Sequence, residues 1–367
     1  MNRPARPVST LFLMLLILVP RGPLPFADTQ SEAGPTQSAN IVVLVQGHAA
    51  IKRRNWTGFA PLTFGSNLQP GDLLRIDQSS NAKVVCTDLK LHDLATGMTG
   101  TPCPRSEEIL RRPDGSLLRP TRGAPSEGLF PIVLSPRMTK LLSDRPLLRW
   151  TEIKNASTYY VMVRGPELLW TRTVQAKTEI QYPDSAQRLE EGKNYKLIVT
   201  VDGGRTSAME SGPGHGFSVL PSGERKVVLR EQKQLERLGL EDGPTQYLIG
   251  LLYASHGLNA EAIQRLEDVA KRFQVPATEK LLGDLYMTVE LPRQAETHYL
   301  KSFELSQQEQ DDEGQLECHL ALATIYWKIF GNKSAAGNQL KAAIVIADKL
   351  GDDATIAEAQ KKLSDLK

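Results

Sequence analysis

Hydrophobic and polar positions follow three different patterns along this chain. Between residues 40 and 90, β-branched runs such as Ile41–Val45 are separated by glycine turns, which predicts short strands. Between residues 131 and 220, short apolar runs recur every ten residues or so, which also predicts strands. From residue 225 onward the apolar residues take the period of amphipathic helices. The patterning therefore predicts two all-β regions followed by a helical region.

A repeat organises the helical region. The run Gly250–Tyr253 recurs 33 positions later as Gly283–Tyr286, and Ala262 recurs as Ala295. A repeat of this length is typical of stacked helical hairpins, in which glycine lets the facing helix approach closely. A third copy has one extra residue near its glycine. Its members are Ala323, Tyr326, Gly331, Ala336 and Ala343.

This arrangement resembles the tetratricopeptide repeat, which has a small residue and a tyrosine on the first helix of each pair. The resemblance implies an α-helical solenoid over residues 225–367, whose first helices line a groove that binds a protein or peptide. Leu251 and Asp284 stand where chaperone-binding members have asparagine, so we do not expect chaperone tails to bind. The alternative is that the groove positions are ordinary helix surface. They are Tyr247, Leu251, Ala254, Lys280, Asp284, Met287, Thr288, Trp327 and Lys328.

Residues 38–104 resemble a FecR-type domain. The resemblance rests on Gln46–Ile51, on Gly65–Ile76 with its Pro70-Gly71-Asp72 turn, and on Ser80–Val84. It implies an all-β domain of a kind found mostly in bacterial envelope proteins, some of which signal to sigma factors. The chain lacks the cytoplasmic helical region and central membrane span of the signalling type, so we do not expect sigma-factor regulation.

Residues 131–222 resemble a fibronectin type III or related immunoglobulin-like domain. The resemblance rests on Pro146–Trp150, on Tyr159–Val163 and on Leu189–Val199. It implies a β-sandwich in which Trp150 packs between the sheets and Tyr195 begins the strand after a turn. The alternative role for these aromatic residues is ligand stacking.

The first residues predict export. Arg3 and Arg6 precede the apolar run Leu11–Val19, which is too short to span a bilayer and is typical of a signal peptide over residues 1–33. An uncleaved anchor is the alternative. We expect a periplasmic or secreted protein of the bacterial envelope, without a transmembrane span once the signal is removed.

Export also affects how the three cysteines are interpreted. In an oxidising compartment Cys86 and Cys103 can form a disulfide. The alternatives are two independent thiols, or a metal site with His92 that has too few ligands. Cys318 is expected to be a buried small hydrophobe. Residues 105–130 are rich in proline, glycine and arginine, and we expect a solvated linker or a contact with acidic groups or lipid headgroups.

Composition adds little to the choice of function. The 367 residues carry a net charge of +2, which gives no reason to expect nucleic-acid binding. The histidines form no metal motif and no G-x-S-x-G nucleophile occurs, so we expect no enzyme, metal or cofactor. We expect an exported scaffold or adaptor that binds a protein or peptide through its repeats. The alternatives are an envelope sensor that uses the FecR-like domain, or attachment to cell wall or polysaccharide.

Overall fold

Strands precede helices in the computed structural model, which describes residues 36–95, 98, 101–103, 109–113, 115, 128–210 and 215–366. β-strands occupy the N-terminal two-thirds, and the described C-terminal residues form eight α-helices. The predicted order of β and α regions is therefore confirmed. The predicted signal peptide, residues 1–33, lies outside the described residues. Among the helices that are described, none is long and apolar enough to cross a membrane.

The first β region consists of two three-stranded antiparallel sheets and a two-stranded pair. Strand β2 is buried on both faces. Its Val42 packs with Ile51 and Leu74 inside this region, whereas Ile41 and Val43 pack against the helices. A disulfide joins Cys86 to Cys103, whose Cα atoms are 5.3 Å apart. The strands are β1 (Thr36–Ser38), β2 (Ile41–Gln46), β3 (Ala49–Lys52), β4 (Ala60–Pro61), β5 (Leu73–Ile76), β6 (Asn81–Val85), β7 (Leu91–Leu94) and β8 (Arg111–Pro113).

The second β region places a five-stranded and a three-stranded sheet around one core. The five-stranded order is β10-β16-β15-β12-β13 and the three-stranded order is β14-β11-β9. Trp150 is 1% exposed in this core, with its ring 5.6 Å from that of Tyr159. The strands are β9 (Val133–Ser135), β10 (Thr139–Leu141), β11 (Leu147–Trp150), β12 (Thr158–Arg164), β13 (Leu169–Gln175), β14 (Glu179–Gln181), β15 (Asn194–Val201) and β16 (Phe217–Val219).

Each helix packs against the next one along the chain. A Cβ atom on Gly250 would lie 2.7 Å from Leu266 Cγ, and one on Gly283 would lie 2.6 Å from Tyr299 Cε1. These contacts confirm that the repeated glycines allow close helix packing. The helices are α1 (Ser222–Glu236), α2 (Asp242–Ser255), α3 (Asn259–Arg272), α4 (Pro276–Thr288), α5 (Pro292–Gln308), α6 (Asp312–Thr324), α7 (Lys333–Leu350) and α8 (Asp353–Asp365), with a π-helical turn at Ile325–Ile329.

The π-helical turn explains the extra residue of the third repeat. In each hairpin a tyrosine precedes the positive-φ residue of the turn, by four residues in the first two and by five in the third. The pairs are Tyr253 with Gly257, Tyr286 with Glu290, and Tyr326 with Gly331. The Phe330 N–H donates to Ile325 O at 3.0 Å, an i to i+5 bond that holds one more residue per turn. The insertion therefore lies within the helix rather than in the turn after it.

Part of the predicted linker is built into the fold. Strand β8 pairs with β1, and Leu110 is fully buried in a core shared by the first β region and the helices. The interpretation of 105–130 as a solvated linker therefore does not hold at Leu110, which is fully buried, whereas the contact of Arg112 with Asp284 agrees with the alternative of contact with acidic groups. Residues 104–108, 114 and 116–127 lie outside the described residues.

The second β region is also fixed to the helices. Arg137 is 2% exposed and donates to both carboxylate oxygens of Glu210, at 2.8 and 2.7 Å, and to Val289 O at 2.6 Å. Nearby, Glu261 Oε1 in the first turn of α3 accepts the Leu142 N–H at 2.6 Å. Hydrogen bonds of this kind hold the two regions in one orientation.

Candidate functional site

The helix surface predicted as a groove is partly filled by the chain itself. Tyr247, Leu251, Asp284 and Met287 are each at most 2% exposed. The Phe64 ring packs edge-on against Tyr247 with centroids 5.1 Å apart. The first β region and β8 therefore cover the part of the surface that α2 and α4 provide.

Strand β8 binds along these helices as an extended peptide would. Ser255 Oγ accepts the Arg111 N–H at 2.7 Å and donates to its carbonyl at 3.0 Å. The Arg112 guanidinium lies 3.6 Å from the Asp284 carboxylate and 3.8 Å from that of Glu317. Burial alone would lower the pKa of Arg112, but Glu317 and Asp284 raise it above its usual value. The helices thus hold both the backbone and the side chain of this segment.

A second contact joins the first β region to the last helices. Arg53 bonds Asp72 at 2.5 Å and Glu313 at 2.7 Å, so its charge is divided between the two carboxylates. Trp56 Nε1 donates to Asp352 Oδ2 at 3.1 Å. The Gly58 N–H donates to Leu350 O at 3.0 Å. The helices therefore contact the first β region near both ends of the stack.

An open cleft of about 380 Å³ remains between these two contacts. Its walls are the loop at residues 63–69, β8 and helices α4 to α6. Three predicted groove residues, Lys280, Asp284 and Met287, line it. Other polar residues of its wall include Arg53, Arg112, Tyr299, Ser306, Asp311, Glu313, Glu317 and Lys362.

The remaining predicted groove residues lie elsewhere. Tyr247, Leu251 and Thr288 are buried, and Ala254 is half-buried. Trp327 and Lys328 belong to the π-helical turn, where the Lys328 ammonium lies 3.3 Å from the centre of the Trp327 ring. The structure therefore brings three of the predicted residues together in the cleft.

Four carboxylates and four cations line the cleft, and burial raises the pKa of two of the carboxylates. Burial raises the pKa of Glu313 to about 7, although Arg53 opposes the shift. Burial also raises the pKa of Asp311, although the Gly314 N–H opposes that shift. Arg53 is shared with Asp72, and Lys362 pairs with Glu358 at 2.7 Å, so neither cation is wholly available to these carboxylates. A cation placed beside Glu313 or Asp311 would lower the pKa of that carboxyl and favour its ionised form.

Cations face two of the carboxylates, Glu317 and Asp284. Burial alone would raise the pKa of Glu317, but Lys280 at 3.4 Å and Arg112 lower it below its usual value. The Glu317 side chain is still 42% exposed to the cleft. Asp284 accepts a hydrogen bond from the Tyr299 hydroxyl at 2.8 Å and pairs with Lys280 at 3.1 Å. Glu317 is therefore the most exposed of the four carboxylates in the cleft wall, although it is paired with Lys280 and Arg112.

Sequence reasoning missed Arg53, Arg112, Tyr299 and Glu317. The apolar pair Ile109-Leu110 is the only signal near Arg112, because two such residues inside a segment rich in proline and arginine indicate burial rather than a solvated loop. Glu317 lies one helical turn after Glu313, which is ordinary spacing for a solvated face. Its role depends on contacts that the sequence pattern does not show.

Two hydroxyl groups of the cleft wall donate to carboxylates, Tyr299 to Asp284 at 2.8 Å and Thr63 to Asp311 at 3.5 Å. Cys318 is fully buried, and burial raises the pKa of its thiol to about 12, so it stays protonated. Outside the cleft, Cys86, Asp88 and His92 bring ligand atoms within 4.8 Å of one another. The Cys86 sulfur is bonded to Cys103 and is not available as a thiolate ligand.

No family model matches the chain, and no curated protein matches it.

Proposed function

We propose that the protein is an exported, non-enzymatic scaffold that binds a basic, extended segment of another protein in the cleft. The observation that carries this proposal is the way the helices hold β8. Ser255 hydrogen-bonds to the backbone of Arg111, and the Arg112 side chain lies against the Asp284 carboxylate. The same helices provide the cleft beside it, with Glu317 partly exposed. A partner segment with arginine or lysine would meet the same kind of surface.

We further propose that the three regions are FecR-like, fibronectin type III-like or immunoglobulin-like, and tetratricopeptide-like. The fibronectin type III-like or immunoglobulin-like identity is supported by Tyr195, whose hydroxyl accepts the Glu190 N–H at 2.8 Å, as in the tyrosine corner of such sandwiches. The tetratricopeptide-like identity is supported by the close helix packing at Gly250 and Gly283. The FecR-like identity is supported by the positive φ of Gly47 and Gly71, which lie in the two glycine turns of the FecR-type motif.

A test of the cleft uses two blocked peptides, one with a central arginine and one with citrulline, which has the same shape and no charge. We expect the full chain to bind the arginine peptide about tenfold more tightly, because a hydrogen-bonded charge is lost with citrulline. Glu317→Gln should remove this preference. The preference should also weaken as the pH falls below 7, where Glu313 becomes protonated.

The matched control is Glu304→Gln, since Glu304 is 60% exposed on α5 and pairs with Lys301. It should leave binding unchanged. The same three proteins are then used for affinity capture from the envelope fraction of the native cells. A protein captured by the parent and by Glu304→Gln, but not by Glu317→Gln, is the expected partner. Equal affinity for the two peptides in all three proteins would rule out the cleft as the binding site.

An envelope sensor is the second candidate function, favoured by the Arg53 and Trp56 contacts. A ligand on the first β region could act on α6 and α8 through them. If the protein is a sensor, a ligand on the first β region should change the rate of hydrogen exchange in α8. Trp56→Phe, which lacks the N–H that bonds Asp352, should abolish that change. A scaffold predicts no such change.

A further inference from the structure

The five-stranded sheet has one covered edge and one open edge. At the covered edge, the Lys140 N–H of β10 donates to Gly257 O at 2.9 Å, and the Ala260 N–H donates to Thr139 Oγ1 at 3.1 Å. At the other edge, β13 has seven residues and pairs only with β12 within the described ranges. An open strand of this length is a template for pairing with another chain.

The ladder between β12 and β13 shows which backbone groups face the open edge. The Ala176 N–H donates to Ser157 O, and the Gly165 N–H donates to Leu168 O, both at 2.9 Å. Hydrogen-bonded pairs alternate along an antiparallel ladder, so the even-numbered residues of β13 bond to β12. The odd-numbered residues therefore direct N–H and C=O groups away from the sheet. They are Leu169, Thr171, Thr173 and Gln175.

An arginine in the middle of β13 selects what can pair with this edge. Arg172 is opposite Val161, which is 1% exposed, so it shares the face that is directed toward the core. It is exposed, and no described residue forms an ion pair with it. An inward-facing charge on an edge strand opposes indiscriminate pairing. β13 itself contains no acidic residue, so a second copy of it would not neutralise Arg172.

The outward face of this edge suits apolar or β-branched side chains. Tyr160 is 50% exposed and Leu169 is 68% exposed. Thr173 is opposite Tyr160, and Thr171 is opposite Met162. An incoming strand would place alternate side chains on these residues.

We propose that β13 is a docking edge for an extended segment of another protein, which adds to the sheet and carries aspartate or glutamate opposite Arg172. Backbone hydrogen bonds provide the affinity and the acidic residue provides the specificity. The site is separate from the cleft, so the scaffold would join two partners.

The probes are two blocked seven-residue peptides in which threonine and valine alternate around a central residue, glutamate in one and lysine in the other. They are titrated into the full chain labelled with ¹⁵N. We expect the glutamate peptide to bind about tenfold more tightly, because one pairing is attractive and the other repulsive. Amide shifts should concentrate at Thr171 and Thr173. Arg172→Glu should reverse the preference, and the exposed position should tolerate it.

Two further variants test the strand itself. Thr173→Pro removes an N–H that faces the open edge and leaves the ladder to β12 intact, so it should abolish binding. Glu317→Gln, in the cleft, should leave this binding unchanged. Equal binding of both peptides would overturn the charge selection, and binding that survives Thr173→Pro would overturn strand addition.

The remaining outcomes also overturn the proposal. Failure of the glutamate peptide to shift the β13 amides at millimolar concentration would show that the edge does not accept such a strand. Sedimentation of the unliganded protein tests whether a second copy of the chain pairs with β13 instead. A dimer that forms with rising concentration and is lost in Thr173→Pro would assign the edge to a second copy.

Discussion

Glycine residues at the helix crossings set how closely the hairpins pack. Gly283 meets the Tyr299 ring, whose hydroxyl is fixed by Asp284 and whose side chain is 1% exposed. A ring held at both ends has little room to move. By contrast, a Cβ atom on Gly337 in α7 would first meet Leu366 Cδ1, at 3.7 Å.

We predict that Gly283→Ala lowers the free energy of unfolding by about 1–3 kcal/mol, because the new methyl group overlaps the Tyr299 ring. Gly337→Ala is the matched control. It should raise the free energy of unfolding by about 0.5–1 kcal/mol, since alanine loses less backbone entropy in a helix. Urea unfolding of both variants provides the comparison. If both variants were less stable than the parent, the overlap with Tyr299 would not be what distinguishes Gly283 from Gly337, and the prediction would be wrong.

Glu261 is a second residue with a measurable consequence. Its Oε1 accepts the Leu142 N–H, whereas its Oε2 is buried with no hydrogen-bond partner among the described residues. Burial raises the pKa of this carboxyl from 4.5 to about 7. The folded chain therefore binds the proton more tightly than the unfolded chain. The stability that this gives is complete below pH 4.5 and is lost as the pH rises through 7.

Glu261→Gln keeps an oxygen for the Leu142 N–H and does not ionise. We predict that the variant is more stable than the parent above pH 7, by up to about 3 kcal/mol, and that this advantage shrinks as the pH falls toward 4.5. Denaturant unfolding from pH 5 to pH 8.5 measures it. Parallel stability curves for the two proteins across that range would contradict the prediction.

At the scale of the element, the π-helical turn is a local correction for one extra residue. It lets Gly331 and the helix after it keep the positions that Gly257 and Glu290 have in the other hairpins. Lys328 is exposed within the turn, so its removal deletes little packing.

We predict that deletion of Lys328 converts the π turn to a regular helix and changes the free energy of unfolding by about 1 kcal/mol or less. Deletion of Thr288 from the regular helix α4 is the control. It should rotate the following turn by roughly 100° and displace the buried Leu291, at a cost of at least about 2 kcal/mol. Thermal unfolding ranks the two deletions. Similar losses would mean that the π turn is required.

Elements with a strong local period were predictable, and contacts between distant segments were not. The helices follow from apolar spacing and repeated glycines near Gly250 and Gly283, which act within a few turns. The pairing of β1 with β8, and of Arg112 with Asp284, joins segments far apart in sequence. Nothing in the local composition of either segment specifies such a partner. Thus the repeat pattern indicated Lys280, Asp284 and Met287 as candidates, which line the cleft, but it did not indicate the segment that lies against them.

At the scale of the whole molecule, all three regions share buried surface. One core contains Ile41 of the first β region, Leu110 directly before β8, and Leu251 of α2. Arg137 then ties the second β region to the turn after α4. Regions joined in this way lose stability together.

We predict one cooperative transition in calorimetry, with equal calorimetric and van't Hoff enthalpies, rather than three separate transitions. Leu110→Ala should move the entire transition downward, with a loss of about 2–5 kcal/mol, because it leaves a cavity at the shared core. The exposed Leu129, which is 62% exposed, provides the control: Leu129→Ala should have little effect. A second transition that Leu110→Ala leaves in place would show independent domains.

The position of β8 on α2 and α4 has a consequence for biosynthesis. A chain made from its N-terminus releases β1 and β8 long before the helices that bury Leu110 and Arg112 have been synthesised. The apolar face of the first β region therefore stays exposed until the C-terminal third of the chain has been synthesised. Nascent chains that stop before α4 should be the form that depends most on holding chaperones and is most readily degraded.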